Sequence, residues 1–125
     1  MRRAMIVTVA AGAALAAAVP VANASQVHAT KAWTIGGPVG SKAWGSASRS
    51  GSNVKVVVNL KARKGAGWKT TLYLKAQHGS GQFYAYNGKT ERDMRGSLHG
   101  TKVSGRICVS HRGLHTTCGS WKRIY

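Results

Sequence analysis

"NVKVVVNLKARKGAGWKTTLYLKAQ", residues 53–77, has apolar residues at every second position on either side of a basic, glycine-containing centre. These positions are 54, 56, 58 and 60 before the centre and 68, 72 and 74 after it, with Thr70 in the same series. Alternation with a period of two is typical of a β-strand that has one buried face. The stretch therefore predicts two strands, each with an apolar face turned inward and a polar face turned outward.

The two strands are predicted to pair as an antiparallel hairpin through the turn ARKGA, residues 62–66. Both apolar faces point inward only if paired residue numbers have an even sum, and we expect the register that sets Leu60 opposite Trp68 and Lys55 opposite Tyr73. In that register the outward face forms one basic patch, for which we predict polyanion binding: Lys55, Lys61, Arg63, Lys64, Lys69, Tyr73 and Lys75. The alternative is a solvated lysine face that prevents edge pairing with other chains.

The rest of the chain has the same character. From Trp33 onward, glycine and serine clusters alternate with short runs rich in Val, Thr, Trp and Tyr, and no apolar spacing of three and four residues is sustained. We predict an all-β protein, a single small antiparallel β-sandwich or barrel of about six to seven strands with one disulfide. The block TERDMRG, residues 90–96, is interpreted as a loop, with one helical turn as the alternative.

The cysteines lie in KVSGRICVSHRGLHTTCGSWKRI, residues 102–124. A hairpin centred on Gly113 sets Cys108 opposite Cys118, close enough for a disulfide, and also sets His111 opposite His115. Cysteines and histidines are an odd number of positions apart, so they project from opposite faces of the hairpin. The four side chains therefore cannot converge on one metal ion, and we predict a Cys108–Cys118 disulfide with no metal or cofactor site.

Aromatic residues have two possible uses in such a fold. Trp44, Trp68 and Trp121 fall on predicted inward faces, and Trp121 is expected opposite Gly105, which leaves room for the indole. In GQFYAYNGK, residues 81–89, Phe83 and Ala85 share one strand face while Tyr84 and Tyr86 share the other. Exposed tyrosines beside lysines would form a stacking surface for single-stranded nucleic acid or sugar rings, whereas the alternative is a buried ring with a solvated hydroxyl.

Export is predicted from the first 24 residues. Two arginines follow the initiator Met, an apolar run extends over residues 4–19, and Ala22-Asn23-Ala24 precedes Ser25. This order is typical of a secretory signal peptide, and the run is shorter than a membrane span needs. We expect a signal peptide at residues 1–24, a loose N-terminal arm at 25–41 and a basic β-domain at 42–125. The mature protein is thus predicted to be extracellular, without an integral membrane span.

Net charge is the feature that points to a partner. The chain has 19 Lys plus Arg against 2 Asp plus Glu, and removal of Arg2 and Arg3 leaves 17 against 2, a formal charge of +15. Such a surface concentrates anions and accelerates encounter with them. We predict a monomeric binding protein for polyanions such as a cell-wall polymer, an anionic lipid surface or nucleic acid. An antimicrobial or toxin-like role extends this prediction.

Catalysis has few candidate residues. A glycosidase needs two placed carboxylates, and Glu91 and Asp93 are the only acidic residues of the chain. No Gly-x-Ser-x-Gly motif, which marks the nucleophile of many serine hydrolases, is present. One alternative is a ribonuclease-type hydrolase that uses His111 and His115 with Arg112 between them, or His78 or His99 in their place. Another is a protease inhibitor that presents the hairpin tip, residues 111–115.

The overall plan resembles the small exported β-domain proteins of actinomycetes. The resemblance lies in the Ala-rich signal peptide, the Gly/Ser-rich strands and a C-terminal cysteine hairpin that ends in Cys118-Gly119-Ser120-Trp121. It implies secretion and a β fold, and it transfers no site residues.

Overall fold

Nine β-strands are present in residues 29–125, the part of the chain that the computed structural model describes. In chain order they are β1 Lys31–Gly36, β2 Lys42–Ser50, β3 Asn53–Lys61, β4 Trp68–Ala76, β5 Gly79–Tyr86, β6 Thr90–His99, β7 Ser104–His111, β8 His115–Cys118 and β9 Lys122–Arg123. A short 3₁₀ turn at Pro38–Gly40 connects β1 to β2.

The strands form two antiparallel sheets. The first sheet has the order β1-β2-β3-β6, and the second has the order β5-β4-β7-β8, with β9 paired to the start of β7. Their apolar faces share one buried core, as in a β-sandwich. The predicted all-β fold with one disulfide is confirmed; β8 and β9, with four and two residues, bring the number of strands above the expected six to seven.

Each sheet contributes alternate residues to the core, as the period of two predicts. The core side chains with a relative exposure of 2% or less include Val54, Val56, Val58 and Leu60 from β3, Leu72 and Leu74 from β4, and Ile107 and Val109 from β7. Thr70 occupies the same face of β4 and is fully buried, where its hydroxyl accepts a hydrogen bond from the Arg63 backbone N–H.

The predicted β3–β4 hairpin is wrong, although the inward faces of both strands are right. β3 pairs with β2 and β6, whereas β4 pairs with β5 and β7 in the opposite sheet. Residues 62–67 cross from one sheet to the other, and Ala62 is buried on this path with its N–H donating to the Lys89 carbonyl. Lys55 and Tyr73 therefore do not face each other; their partners are Ser48 and Ser97, and Gln82 and Arg106.

Part of the predicted N-terminal arm is ordered structure. Residues 31–36 form edge strand β1, which pairs with β2 and buries Trp33 and Ile35 in the core. The expectation of a loose arm over 25–41 is therefore wrong for this segment, because alternate apolar side chains anchor it to the sheet. Strand β2 begins at Lys42, where the basic β-domain was expected to begin.

The block at residues 90–96, interpreted as a loop, lies in β6 and pairs with β3. The register shifts between Val58 and Leu60, and Asp93 there has a left-handed φ of 55°. The Asn59 side-chain oxygen accepts a hydrogen bond from the Asp93 N–H at 3.1 Å. A β-bulge thus accommodates the charged residues of this block. Because of these residues, the sequence pattern did not predict a strand here.

The cysteine hairpin has the predicted register, with Cys108 opposite Cys118 and His111 opposite His115. A disulfide joins the cysteines, whose Cα atoms are 4.0 Å apart. The pairing predicted beyond it is wrong, since Gly105 faces Lys122 and the Trp121 side chain is exposed. Gly105 instead makes room for core side chains: a Cβ there would lie 2.9 Å from Leu74 Cδ2 and 3.1 Å from Ile35 Cδ1.

The predicted signal peptide at residues 1–24 lies outside the described residues. Within residues 29–125 no helix is long and apolar enough to cross a membrane.

Candidate polyanion-binding face

The structure distributes the predicted basic patch over three places. Lys55 and Lys61 belong to β3 in the first sheet, and Arg63 and Lys64 belong to the crossing loop. The remaining patch residues belong to β4 in the second sheet: Lys69, Tyr73 and Lys75. Because the two outer faces of a sandwich point in opposite directions, the seven residues do not form one patch.

The outer face of the second sheet assembles a different set of cationic and aromatic side chains. On this outer face, the odd-numbered residues of β4 lie beside the even-numbered residues of β5 and β7, because the register pairs them with each other. We call this surface the aromatic–basic face and define it by Lys69, Tyr73, Lys75, Tyr84, Tyr86, Arg106 and Trp121. Three of its aromatic side chains are well exposed: Tyr84 at 40%, Tyr86 at 48% and Trp121 at 37%.

Cations lie against the rings of this face. The Lys69 ammonium is 4.3 Å from the Tyr84 ring centroid, and the Lys75 ammonium is 4.3 Å from that of Trp121. The Arg106 guanidinium carbon is 4.8 Å from the Trp121 centroid, and its Nε atom is buried without a hydrogen-bond partner among the described residues. Such contacts hold each cation beside a π surface.

Charge is of one sign on the aromatic–basic face. Both acidic residues of the chain, Glu91 and Asp93, lie in β6 of the first sheet. The second sheet therefore has lysines and arginines but no acidic side chain to neutralise them. An anion that approaches this face meets only attraction from its charged side chains.

The structure decides between the two uses of the β5 aromatics. Ala85 is buried and Phe83 packs against the core, so Tyr84 and Tyr86 project to solvent. The Tyr84 hydroxyl donates to the Gln82 side-chain oxygen, which orients the phenol along the strand. The rings of Tyr84 and Tyr86 are therefore exposed, as a stacking surface requires, and are not buried in the core.

Three tryptophans expected in the core lie outside it. Trp44 is half-buried on the outer face of the first sheet near Lys42 and Arg92, and Trp121 is exposed. Trp68 is half-buried where the crossing loop enters β4. Their predicted burial is wrong because each indole is covered by a cation or loop side chain rather than by the opposite sheet.

Trp68 organises the loop end of the molecule. The Arg63 guanidinium carbon is 3.5 Å from the Trp68 ring centroid, and the His111 ring is 4.8 Å from it. His111 Nε2 lies 3.2 Å from the Ala66 carbonyl oxygen, and the Arg112 N–H donates to Gly67. These contacts attach the hairpin tip to the crossing loop.

The hairpin tip itself is a tight turn. Arg112 and Gly113 both have left-handed φ values, of 49° and 75°, and the Leu114 N–H donates to the His111 carbonyl. A protease binds the exposed loop of its inhibitor as an extended strand, through main-chain hydrogen bonds. A turn with two left-handed residues presents no such strand, so the geometry does not favour the inhibitor alternative.

A second histidine pair lies at the far end of the sandwich. The His78 and His99 ring centroids are 5.3 Å apart, and the His78 backbone N–H donates to the His99 backbone carbonyl. The rings border a recess of about 220 Å³, whose other lining residues are Ser52, Gln77, Gly100 and Thr101. Sequence reasoning named both histidines only as replacements, since 21 positions separate them.

Metal-ligating side chains are not clustered in residues 29–125, where no three His, Cys, Asp or Glu side chains converge.

Arg106 and Trp121 were missed as members of a binding surface. The alternation of β7 around Ile107 and Val109 places Arg106 outward and was a usable signal. The position of Trp121 could not be predicted from the sequence, because an irregular segment at residues 119–121 shifts the β-strand register by one residue after the disulfide.

Comparisons with known proteins place the chain in no established group. No family model matches it. The search of curated proteins and the search of solved structures also gave no match.

Proposed function

We propose that this protein is secreted and binds polyanions through the aromatic–basic face. The observation that carries the proposal is the placement of Lys69, Lys75 and Arg106 against exposed rings, on a sheet that has no acidic side chain. Arginine and lysine bind phosphate, sulfate and carboxylate groups through charge-assisted hydrogen bonds. Three such groups in fixed positions make a surface that several anionic groups of one polymer can contact together.

Secretion is supported by two features. The first 24 residues have the order of a signal peptide, and the Cys108–Cys118 disulfide suits an oxidising compartment. The test is expression of the full chain in a secreting host, followed by N-terminal sequencing of the protein in the medium. A mature N-terminus at Ser25 is expected, and retention of the full chain in the cell would contradict export.

Binding is tested by retention on heparin, polyphosphate and single-stranded DNA over a salt series, with a neutral polysaccharide for comparison. We expect affinity for the polyanions to fall steeply with salt, since each neutralised anionic group releases counterions. Retention on the neutral polysaccharide alone, or no retention at physiological salt, would contradict the proposal.

The face is assigned by two variants with the same loss of charge. Lys69→Gln/Lys75→Gln/Arg106→Gln removes the three cations of the aromatic–basic face, whereas Lys42→Gln/Lys55→Gln/Lys61→Gln removes three from the first sheet. The first variant should lower the salt dependence of binding, by about 0.7 to 0.9 per lost contact in a plot of log K against log salt. Equal effects of both variants would show that net charge alone binds the polymer.

A second candidate function is RNA cleavage, which the His78–His99 pair favours. Two imidazoles beside a recess meet the need for one general base and one general acid, and the positive field attracts the substrate. Degradation of RNA that is lost in His78→Ala and in His99→Ala, and retained in His111→Ala and His115→Ala, would support it. The reverse pattern would assign the cleavage to the tip pair, and intact RNA with the wild-type protein would exclude both.

A further inference from the structure

We infer that the polyanion is single-stranded nucleic acid, with its bases stacked on Tyr84, Tyr86 and Trp121. This inference rests on the proposed function and adds the chemical class of the partner. It depends on the rings of the aromatic–basic face rather than on its charge.

Within the described residues, Lys69 lies against the Tyr84 ring, Lys75 and Arg106 lie against the Trp121 ring, and no cation lies against the Tyr86 ring. A polymer that has only charged groups, such as polyphosphate or a polyol phosphate, leaves the π surfaces of Tyr84 and Tyr86 unused. Nucleobases stack on aromatic side chains irrespective of base identity, and the phosphates are bound by neighbouring cations. The combination of ring and cation therefore matches a nucleotide, which has a base and a phosphate joined through one sugar.

The spacing of the rings favours an unpaired strand. Tyr84 and Tyr86 are two residues apart on the same face of β5, so their Cα atoms are separated by about 7 Å. This is about twice the 3.4 Å spacing of stacked bases along a nucleic-acid strand. Bases that stack on successive tyrosines must therefore be splayed apart, as single-stranded RNA and DNA allow.

Sheet width disfavours a duplex. The sheet that bears this face has the strand order β5-β4-β7-β8, which is about 14 Å wide at the usual distance between strands. The major groove of DNA is about 12 Å wide and admits a helix or a two-stranded ribbon. A four-stranded sheet cannot enter it, and the bases of a duplex are not available for stacking.

Cations and rings are arranged for simultaneous contact. Lys69 lies over Tyr84 and is directly opposite Tyr86 in the β4–β5 register, so one cation is a neighbour of both tyrosines along the sheet. Lys75 and Arg106 both lie against Trp121, on the other side of the face. Lys69 and Lys75 are six residues apart on β4, which places two phosphate-binding points about 20 Å from each other.

The experiment compares fluorescently labelled ligands with equal numbers of phosphates at physiological salt. The probes are a 24-nucleotide oligothymidine, an abasic 24-mer with the same sugar-phosphate backbone, and a 12-base-pair duplex, whose two strands together have the same number of phosphates, with polyphosphate as a competitor. We expect the oligothymidine to bind at least tenfold more tightly than the abasic strand. Equal affinity for the abasic strand, or tighter binding of the duplex, would overturn this inference while polyanion binding stands. No binding of any probe would remove the proposed function as well.

Variants assign the stacking to particular rings. Tyr84→Ala and Tyr86→Ala should each weaken oligothymidine binding by about fivefold or more, and should leave the affinity for the abasic strand unchanged. Tyr84→Phe and Tyr86→Phe keep the ring and should bind as the wild type does. Trp44→Ala, which removes a ring from the opposite outer face, is the matched control. Loss of affinity in the control, or equal loss for both ligands in the tyrosine variants, would refute the assignment.

Discussion

Gly105 shows how one residue couples the two sheets. It lies in β7, and a Cβ atom at this position would point at Leu74 of its own sheet and at Ile35 of the opposite sheet. Both neighbours are almost fully buried, so neither can move to solvent to admit a methyl group. The glycine is required here by close packing.

Replacement of Gly105 by alanine is therefore expected to destabilise the protein by about 1–3 kcal/mol, the usual effect of overpacking. Gly36→Ala is the matched control, since a Cβ at Gly36 meets no atom within 4 Å. Urea denaturation of both variants measures the difference. Equal stability of Gly105→Ala and the wild type would mean that the core around Leu74 is loosely packed.

Single residues also explain why the candidate site was only partly predictable. The alternation in β4 correctly turned Lys69, Tyr73 and Lys75 outward, because side-chain direction depends only on the local period. Which residues lie beside them depends on the neighbouring strands, which no local pattern specifies. Arg106 belongs to the site because β7 pairs with β4. Lys55 lies outside the site because β3 pairs with strands of the other sheet.

At the scale of elements, the same limit applies to the pairing of β3 and β4. Two strands with inward apolar faces satisfy the hydrophobic pattern equally well as neighbours in one sheet or as members of two facing sheets. The crossing loop at residues 62–67 selects the second arrangement and buries Ala62 on the way. By contrast, the β7–β8 hairpin was predictable to the residue, because a short turn and a disulfide restrict the register locally.

Strand β1 is expected to be essential, although it is an edge strand. Trp33 is 8% exposed and packs in the core, so Trp33→Ala should reduce the free energy of unfolding by about 3–5 kcal/mol. Thr34→Ala, at the next and exposed position of the same strand, should change it little. Thermal denaturation followed by circular dichroism measures both, and similar melting temperatures would mean that β1 is dispensable.

The disulfide is expected to contribute less than the core. It closes a loop with a sequence separation of 10, for which the loop-entropy relation allows about 3 kcal/mol at most. Four residue pairs and the contacts of His111 and Arg112 with the crossing loop already hold this hairpin. The double variant Cys108→Ser/Cys118→Ser should therefore fold, with faster amide hydrogen exchange confined to β8 and the segment after it. Global loss of exchange protection would show that the hairpin depends on the covalent bond.

For the whole molecule, the charge that attracts a polymer also opposes folding. Residues 29–125 have 17 basic and 2 acidic residues, so most cations are surrounded by like charges. Cation–π contacts at six lysines or arginines around Tyr84, Trp121, Trp68 and Trp44 place part of this charge against rings instead of carboxylates. Repulsion among the remaining charges acts over the Debye length, about 30 Å at 10 mM salt and 8 Å at physiological ionic strength. The folded state is therefore destabilised most at low salt, and a bound polyanion that neutralises the surface stabilises it.

The melting temperature should consequently rise when sodium chloride is increased from about 10 mM to about 150 mM, a range over which most proteins with balanced charge change little. A variant with six first-sheet and loop lysines replaced by glutamine should melt higher at low salt and respond less to added salt; the replaced residues are Lys31, Lys42, Lys55, Lys61, Lys89 and Lys102. Because these six lie outside the aromatic–basic face, the variant should keep most of its affinity for oligothymidine while losing the long-range component of its association rate. If the variant melts at the same temperature as the wild type at 10 mM salt, self-repulsion is negligible. The large positive charge would then act only on the partner.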